Sequence, residues 1–183
     1  MTGAPLQGHA EFSGDAQHRY RLDRWWSDAP RALVCGCNPS MAGAEVNDPT
    51  VWRLVELLRP IPTIGGFTIV NWEDRVATDP AAMRAWRMHA LHTDEAGYNR
   101  ARDANLARIR ALSAAAPIRI VAWGDLVPME RQTTLVLRAM SLDWTHPLYA
   151  FGTTASGAPL HPMARGRSRI PAGTLPTLWR EHE

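Results

Sequence analysis

Val34-Cys35-Gly36-Cys37-Asn38-Pro39-Ser40-Met41-Ala42-Gly43 sets the architecture: a short apolar run stops at a proline-fixed polar turn, and Asn47-Asp48-Pro49-Thr50 follows. A buried strand ending this way leaves its last side chains at the carboxyl edge of a sheet, where open α/β folds bind ligands. Two further runs end alike, Phe67-Thr68-Ile69-Val70 at Asn71-Trp72 and Ile118-Arg119-Ile120-Val121-Ala122 at Trp123-Gly124-Asp125. With Pro159-Leu160-His161-Pro162 they predict one pocket assembled from four separated segments.

Outward from that turn, Arg31 to Cys37 reads as the first central strand. Tyr20 to Trp26 mixes charged and aromatic positions, as an edge strand or hairpin arm does. Asp48-Pro49-Thr50 opens a helix with Val51, Leu54, Val55 and Leu58 at helical spacing, and Pro60 stops it. Thr78-Asp79-Pro80 opens a second helix through about Met88. Asn99 to Ala115 is the longest, with Leu106, Ile109 and Leu112 on its buried stripe, and Pro128 to Met140 carries Leu135, Leu137 and Met140 on a fourth. Leu148 to Phe151 reads as the last strand. Strands alternating with helices predict a three-layer α/β/α fold with a mainly parallel central sheet. Residues 1–18, polar and aperiodic, are expected as a flexible N-terminal arm, and 19–183 as a single α/β domain. A chain of 183 residues suits one domain with a full core and is short for two.

Composition narrows the classes. No apolar run reaches the ~18 residues that cross a bilayer, and no basic-then-apolar signal pattern opens the sequence, so a cytoplasmic protein without a membrane partner is expected. Cys35 and Cys37 fall on one face of a strand and read as small buried hydrophobes, since a disulfide framework or zinc site needs more ligands. His89-x-x-His92 with Asp94 lacks a spaced fourth ligand and reads as a surface helix end. No metal and no cofactor are expected. All 20 basic residues are arginine, which excludes lysine Schiff-base chemistry. A formal charge of +2 does not by itself demand nucleic acid. Arg165, Arg167 and Arg169 nevertheless suit phosphate as well as they suit a solvated loop.

The strand ends carry the candidate chemistry. The turn at Asn38, Pro39 and Ser40 can hold a water or an anion, or simply cap the next segment. The Asn71 carboxamide can both donate to and accept from the edge of a base. Glu73, Asp74 and Arg75 are expected to pair with one another at the surface. Trp123 reads as core, and Asp125 as an N-cap or a pocket carboxylate. His161 can donate to charge developing on a leaving group, although His146-Pro147 repeats its dipeptide. Trp52 is placed to stack on a flat base.

The series Asn38-Pro39-Ser40-x-Ala42, Asp48-Pro49-Thr50, Asn71, Arg75-x-Ala77-Thr78-Asp79-Pro80, Asn99, Trp123-Gly124 and Gly152-x-Thr154-x-x-Gly157-x-Pro159-x-His161-Pro162 resembles domain-of-unknown-function family 1643 over about residues 19 to 163. More distantly, the same order is similar to the uracil-DNA glycosylase superfamily, whose mismatch-specific branch carries Gly-x-Asn-Pro-Gly where this chain has Gly36-Cys37-Asn38-Pro39-Ser40. That resemblance implies a uracil-DNA-glycosylase-like fold in which Asn38 positions the attacking water and His161 stabilises the departing base. Asn71, Trp52 and Ser40 would contact the base, with Pro39, Asp48, Trp123, Asp125 and Pro162 supporting the pocket. The segment after His161-Pro162 is Met163-Ala164-Arg165-Gly166, which differs from the Ser-Pro-Leu-Ser often found there. The expectation is a nucleobase-recognising protein that hydrolyses the N-glycosidic bond of a modified or mismatched base in DNA or a nucleotide. The alternative is a non-catalytic nucleic-acid or nucleotide-binding module of the same fold. A hydrolase with Ser40 or Cys35 as nucleophile lacks the histidine and carboxylate order of a triad.

Overall fold

The computed structural model describes residues 5–181. They form strands β1 (Gln7–Phe12), β2 (Arg19–Trp25), β3 (Arg31–Gly36), β4 (Gly66–Asn71), β5 (Arg119–Val121), β6 (Leu148–Ala150) and β7 (Thr177–Arg180). The helices are α1 (Pro49–Leu58), α2 (Pro80–Thr93), α3 (Glu95–Ala115) and α4 (Arg131–Met140). All seven strands share one sheet in the order β1-β2-β4-β3-β5-β6-β7.

The fold is mixed α/β, and the sheet is mixed rather than mainly parallel. Pairings β4·β3, β3·β5 and β5·β6 are parallel, whereas β1·β2, β2·β4 and β6·β7 are antiparallel. Helices return the chain between β3, β4, β5 and β6, and a helical return favours parallel pairing. β2 and β7 join without such a helix and run against the core strands, and β1, antiparallel to β2, runs with them. Gln7–Phe12, where a flexible arm was expected, is edge strand β1; its burial pattern is largely exposed and its register is held by backbone pairing to β2.

Alternation along β3 sorts two apolar clusters onto opposite faces. Ala32 and Val34 join Val51, Leu54, Leu57 and Leu58 of α1, while Leu33 and Cys35 join Ile109 of α3 and Val136, Leu137 and Met140 of α4. Cys35 and Cys37 are free, buried and in the same cluster. Burial pushes both thiols up, Cys37 to about 11, so neither is a ready nucleophile at neutral pH. Asp48 and Asp79 cap α1 and α2 directly ahead of a proline, as Asp-Pro pairs do at helix starts. Asp94 caps α3 through the Gly97 N–H at 2.9 Å, which accounts for it beside His89 and His92.

Glu73, Asp74 and Arg75 do not pair at the surface. The chain stays in contact with β3 past its last strand residue, with Trp72 and Glu73 N–H donating to the Gly36 and Cys37 carbonyls, and this carries both carboxylates inward. Tyr98 Oη donates to Glu73 at 2.8 Å, His18 Nδ1 lies 2.6 Å from Asp74, and Arg75 sits over the Trp86 ring. Burial pushes the Glu73 carboxyl up, with the Tyr98 hydrogen bond opposing. Glu73→Gln keeps an acceptor for Tyr98 and removes the interior charge, so urea unfolding at pH 7 should show stability equal to or above wild type. The difference should be larger at pH 7 than at pH 4. A carboxyl raised in the folded state loses stability as pH climbs above its unfolded value, and glutamine does not titrate. A loss of about 2 kcal/mol or more would contradict this.

Candidate functional site

β3 and β4 end level, Gly36 opposite Asn71, so the turn after β3 and the end of β4 meet at the carboxyl edge. Asn38 Nδ2 donates to the carbonyls of Pro39 (3.1 Å) and Ala77 (2.7 Å), tying that turn to the loop after β4. Both amide hydrogens are thereby engaged, and Oδ1 is the atom left to accept. Ser40 Oγ donates to Asp48 Oδ2 at 2.6 Å, so toward the cavity the hydroxyl offers lone pairs. Asp48 Oδ1 accepts the Val51 N–H at 2.8 Å as the cap of α1.

Asn71 is 3% exposed, and its Nδ2–H has no acceptor among the described residues. Gly36 makes the room: a Cβ there would stand 3.0 Å from Asn71 Oδ1. His161 follows Leu160, whose N–H donates to the Gly152 carbonyl, in a segment held close to Gly124 by a Gly124 N–H bond to Pro159. Gly124 has φ +67°, and a Cβ on it would come within 3.3 Å of His161 Cβ, so glycine serves both the left-handed backbone and the close approach. Met163 N–H donates to His161 Nδ1 at 3.1 Å, which places the proton of the neutral ring on Nε2. Burial pushes His161 below the usual imidazole value, with the charge of Asp48 opposing.

Asn38, Ser40, Asp48, Asn71, His161 and Pro162 line one cavity of about 220 Å³. That lies below the roughly 300–1,000 Å³ of sites for drug-sized ligands. It has room for one small molecule with ordered water. The same cavity is lined by Arg19, which sequence reasoning left on an edge strand. Arg19 is 3% exposed; Nη1 donates to the Ala42 carbonyl at 2.9 Å, and Nε–H has no acceptor among the described residues. Burial lowers its pKa to about 10, with Asp48 opposing and Arg24 adding to the fall. The signal that could have found it is the density of charge in β2. Arg24, 1% exposed, donates to Asn47 Oδ1 and to the Gly43 and Val46 carbonyls, holding the loop that delivers Asp48.

Other expected site residues lie elsewhere. Trp52 is 52% exposed on α1, outside the cavity lining, because Val51, Leu54 and Val55 take the inward face. Trp123 is core, edge-on to Trp179 at 6.2 Å. Asp125 is exposed and accepts from Thr154 and Ser156, which hold its carboxyl below the usual range. Pro39 is buried beneath its turn, its carbonyl accepting the Ala77 N–H. Arg165, Arg167 and Arg169 are exposed; Arg165 and Arg169 border a shallow cleft with Arg53 that shares Pro162 with the cavity. Among the described residues no group of three His, Cys, Asp or Glu is placed to hold a metal ion, and no helix is long and apolar enough to cross a membrane.

Fold and cavity together define an α/β protein with a small pocket, apolar-walled with a few polar groups, at the carboxyl ends of parallel strands. The chain belongs to a family described as a protein of unknown function, DUF1643, which matches residues 19–163. The match opens on Arg19 and closes just past Pro162, so every residue lining the cavity falls within it. No curated protein and no solved structure matches the chain.

Proposed function

We propose that this is a nucleobase-recognising protein that hydrolyses the N-glycosidic bond of a modified or mismatched base in DNA or a nucleotide. The observation that carries the reading is that Asn38, Asn71 and His161, from three distant segments, line one cavity sized for a single ring system. The apolar clusters on opposite sheet faces support a three-layer, glycosylase-like arrangement.

Hydrogen-bond polarity supplies the roles. Asn38 Oδ1 and Ser40 Oγ are acceptors that can take both hydrogens of one water and turn its lone pair outward. Asn71 Nδ2–H and His161 Nε2–H are donors suited to the oxygens and ring nitrogen of a base. Cleavage builds positive charge on the sugar and negative charge on the base, so a fixed neutral donor beside the base lowers the barrier. The test is to incubate the protein with oligonucleotides carrying a single uracil, hypoxanthine or mismatched thymine, and with the corresponding nucleosides, and to assay free base by chromatography. Release from none of them defeats the reading.

Exposure of Arg165, Arg167 and Arg169, two of them bordering the cleft next to the cavity, favours a second reading, a binding module that holds a phosphate backbone without cleaving. Replacing all three with alanine should weaken oligonucleotide binding uniformly across sequences. The slope of log affinity against log salt should shrink by up to about 3, one unit per lost phosphate contact. An unchanged slope removes these arginines from any phosphate role.

A further inference from the structure

Water that attacks an anomeric carbon must give up a proton, and the Asn38 carboxamide is not a base. Among the described residues lining the cavity, Asp48 is the single carboxylate. Beside it in the lining is Ser40, whose hydroxyl proton is directed onto Asp48 Oδ2 at 2.6 Å, within the short range of charge-assisted O–H···O⁻ bonds. Its other oxygen is fixed by the Val51 N–H. A serine so oriented can take a proton on Oγ only by passing its own to the carboxylate.

We infer that Ser40 and Asp48 form the proton acceptor of this site, Ser40 as the residue that touches the attacking water and Asp48 as the carboxylate acting through it. The inference rests on the N-glycosidic reading above. As the water oxygen bonds to the anomeric carbon, the carbon–nitrogen bond breaks and its electron pair leaves with the base, held by the His161 Nε2–H. One water proton moves to Ser40 Oγ while the Ser40 proton moves to Asp48 Oδ2. After release, Asp48 returns the proton through Ser40 to solvent, and the base anion is protonated from solvent. No other reactant is needed.

The charged groups facing Asp48 are Arg19 and Arg24 of β2 and His161 of the loop after β6. Asn38 and Ser40 stand two residues apart on the same turn, so one water can contact both.

The test compares wild type with Asp48→Asn and Ser40→Ala on whichever of the uracil, hypoxanthine or mismatched-thymine oligonucleotides wild type cleaves. Asparagine caps a helix as well as aspartate does, so Asp48→Asn keeps the α1 cap while losing the base. Each variant should lower kcat about 10²-fold with KM and melting temperature close to wild type. Because the two act as one unit, the double variant should be no slower than the slower single one. Should Asp48→Asn fail to fold, Ser40→Ala, which leaves the Val51 N–H bond to Asp48 in place, carries the same kcat comparison. A wild type that releases base with either variant equally fast overturns the inference and leaves the reading standing. A double variant much slower than either single one also overturns it, since that marks two independent roles rather than one relay. A wild type that releases no base overturns both.

Discussion

Replacing His161 with alanine is expected to lower base release by about 10²- to 10³-fold, the range for loss of one preorganised donor at developing negative charge. The chain should still fold, because His161 sits on a surface-connected cavity and its segment is held by backbone bonds from Leu160 and Ala164. The donor is the neutral ring. Met163 N–H occupies Nδ1, so protonating that nitrogen breaks a hydrogen bond, and burial already disfavours the cation. Wild-type activity should therefore persist to a lower pH than an ordinary imidazole, titrating near 6.5, would allow. Stability carries the same sign. With a folded value below the unfolded one, the unfolded chain binds more protons in the window between them, so stability rises with pH there and falls as pH drops below about 6.5. Urea midpoints at pH 5.5 and 7.5 should differ more for wild type than for His161→Ala. Base release unchanged by the substitution would remove His161 from the reaction.

Asn71→Ala should separate activity from stability. A fully buried polar side chain ordinarily loses stability on truncation, yet Nδ2–H has no acceptor here, and a buried orphan donor costs about 1–3 kcal/mol. Removing it offsets the packing lost beside a cavity that is already open. The melting temperature should stay level or rise, while base release drops by about 10²-fold and calorimetric binding of the free base disappears. A destabilised variant that still bound the free base would show Asn71 to be a packing residue. Such an uncompensated group at a pocket is the usual form in which a binding site stores stability for its ligand.

The elements that carry the site were legible because their signals are local. Asn38-Pro39 ends an apolar run, Asn71 ends another, and Asp48-Pro49 and Asp79-Pro80 start helices; each involves neighbours a few residues apart. β1 was not legible. Its side chains are largely exposed, so no alternation marks it, and backbone pairing to β2 is what holds it. Glu73 and Asp74 look like surface charge until α3 supplies Tyr98 and the segment ahead of β2 supplies His18.

Strand ends and helix starts, and with them the places of Asn38 and Asn71 at the close of apolar runs, were settled by hydrophobic runs and turn chemistry, which act over a few bonds. The sheet's mixed direction, the exclusion of Trp52 and the entry of Arg19 into the cavity were settled only by the folded chain. Those depend on which backbone pairs with which, and on a loop pinned by Arg24 closing over β2. A buried arginine becomes tolerable only where distant carbonyls and a carboxylate surround it, and no short stretch of sequence contains that environment.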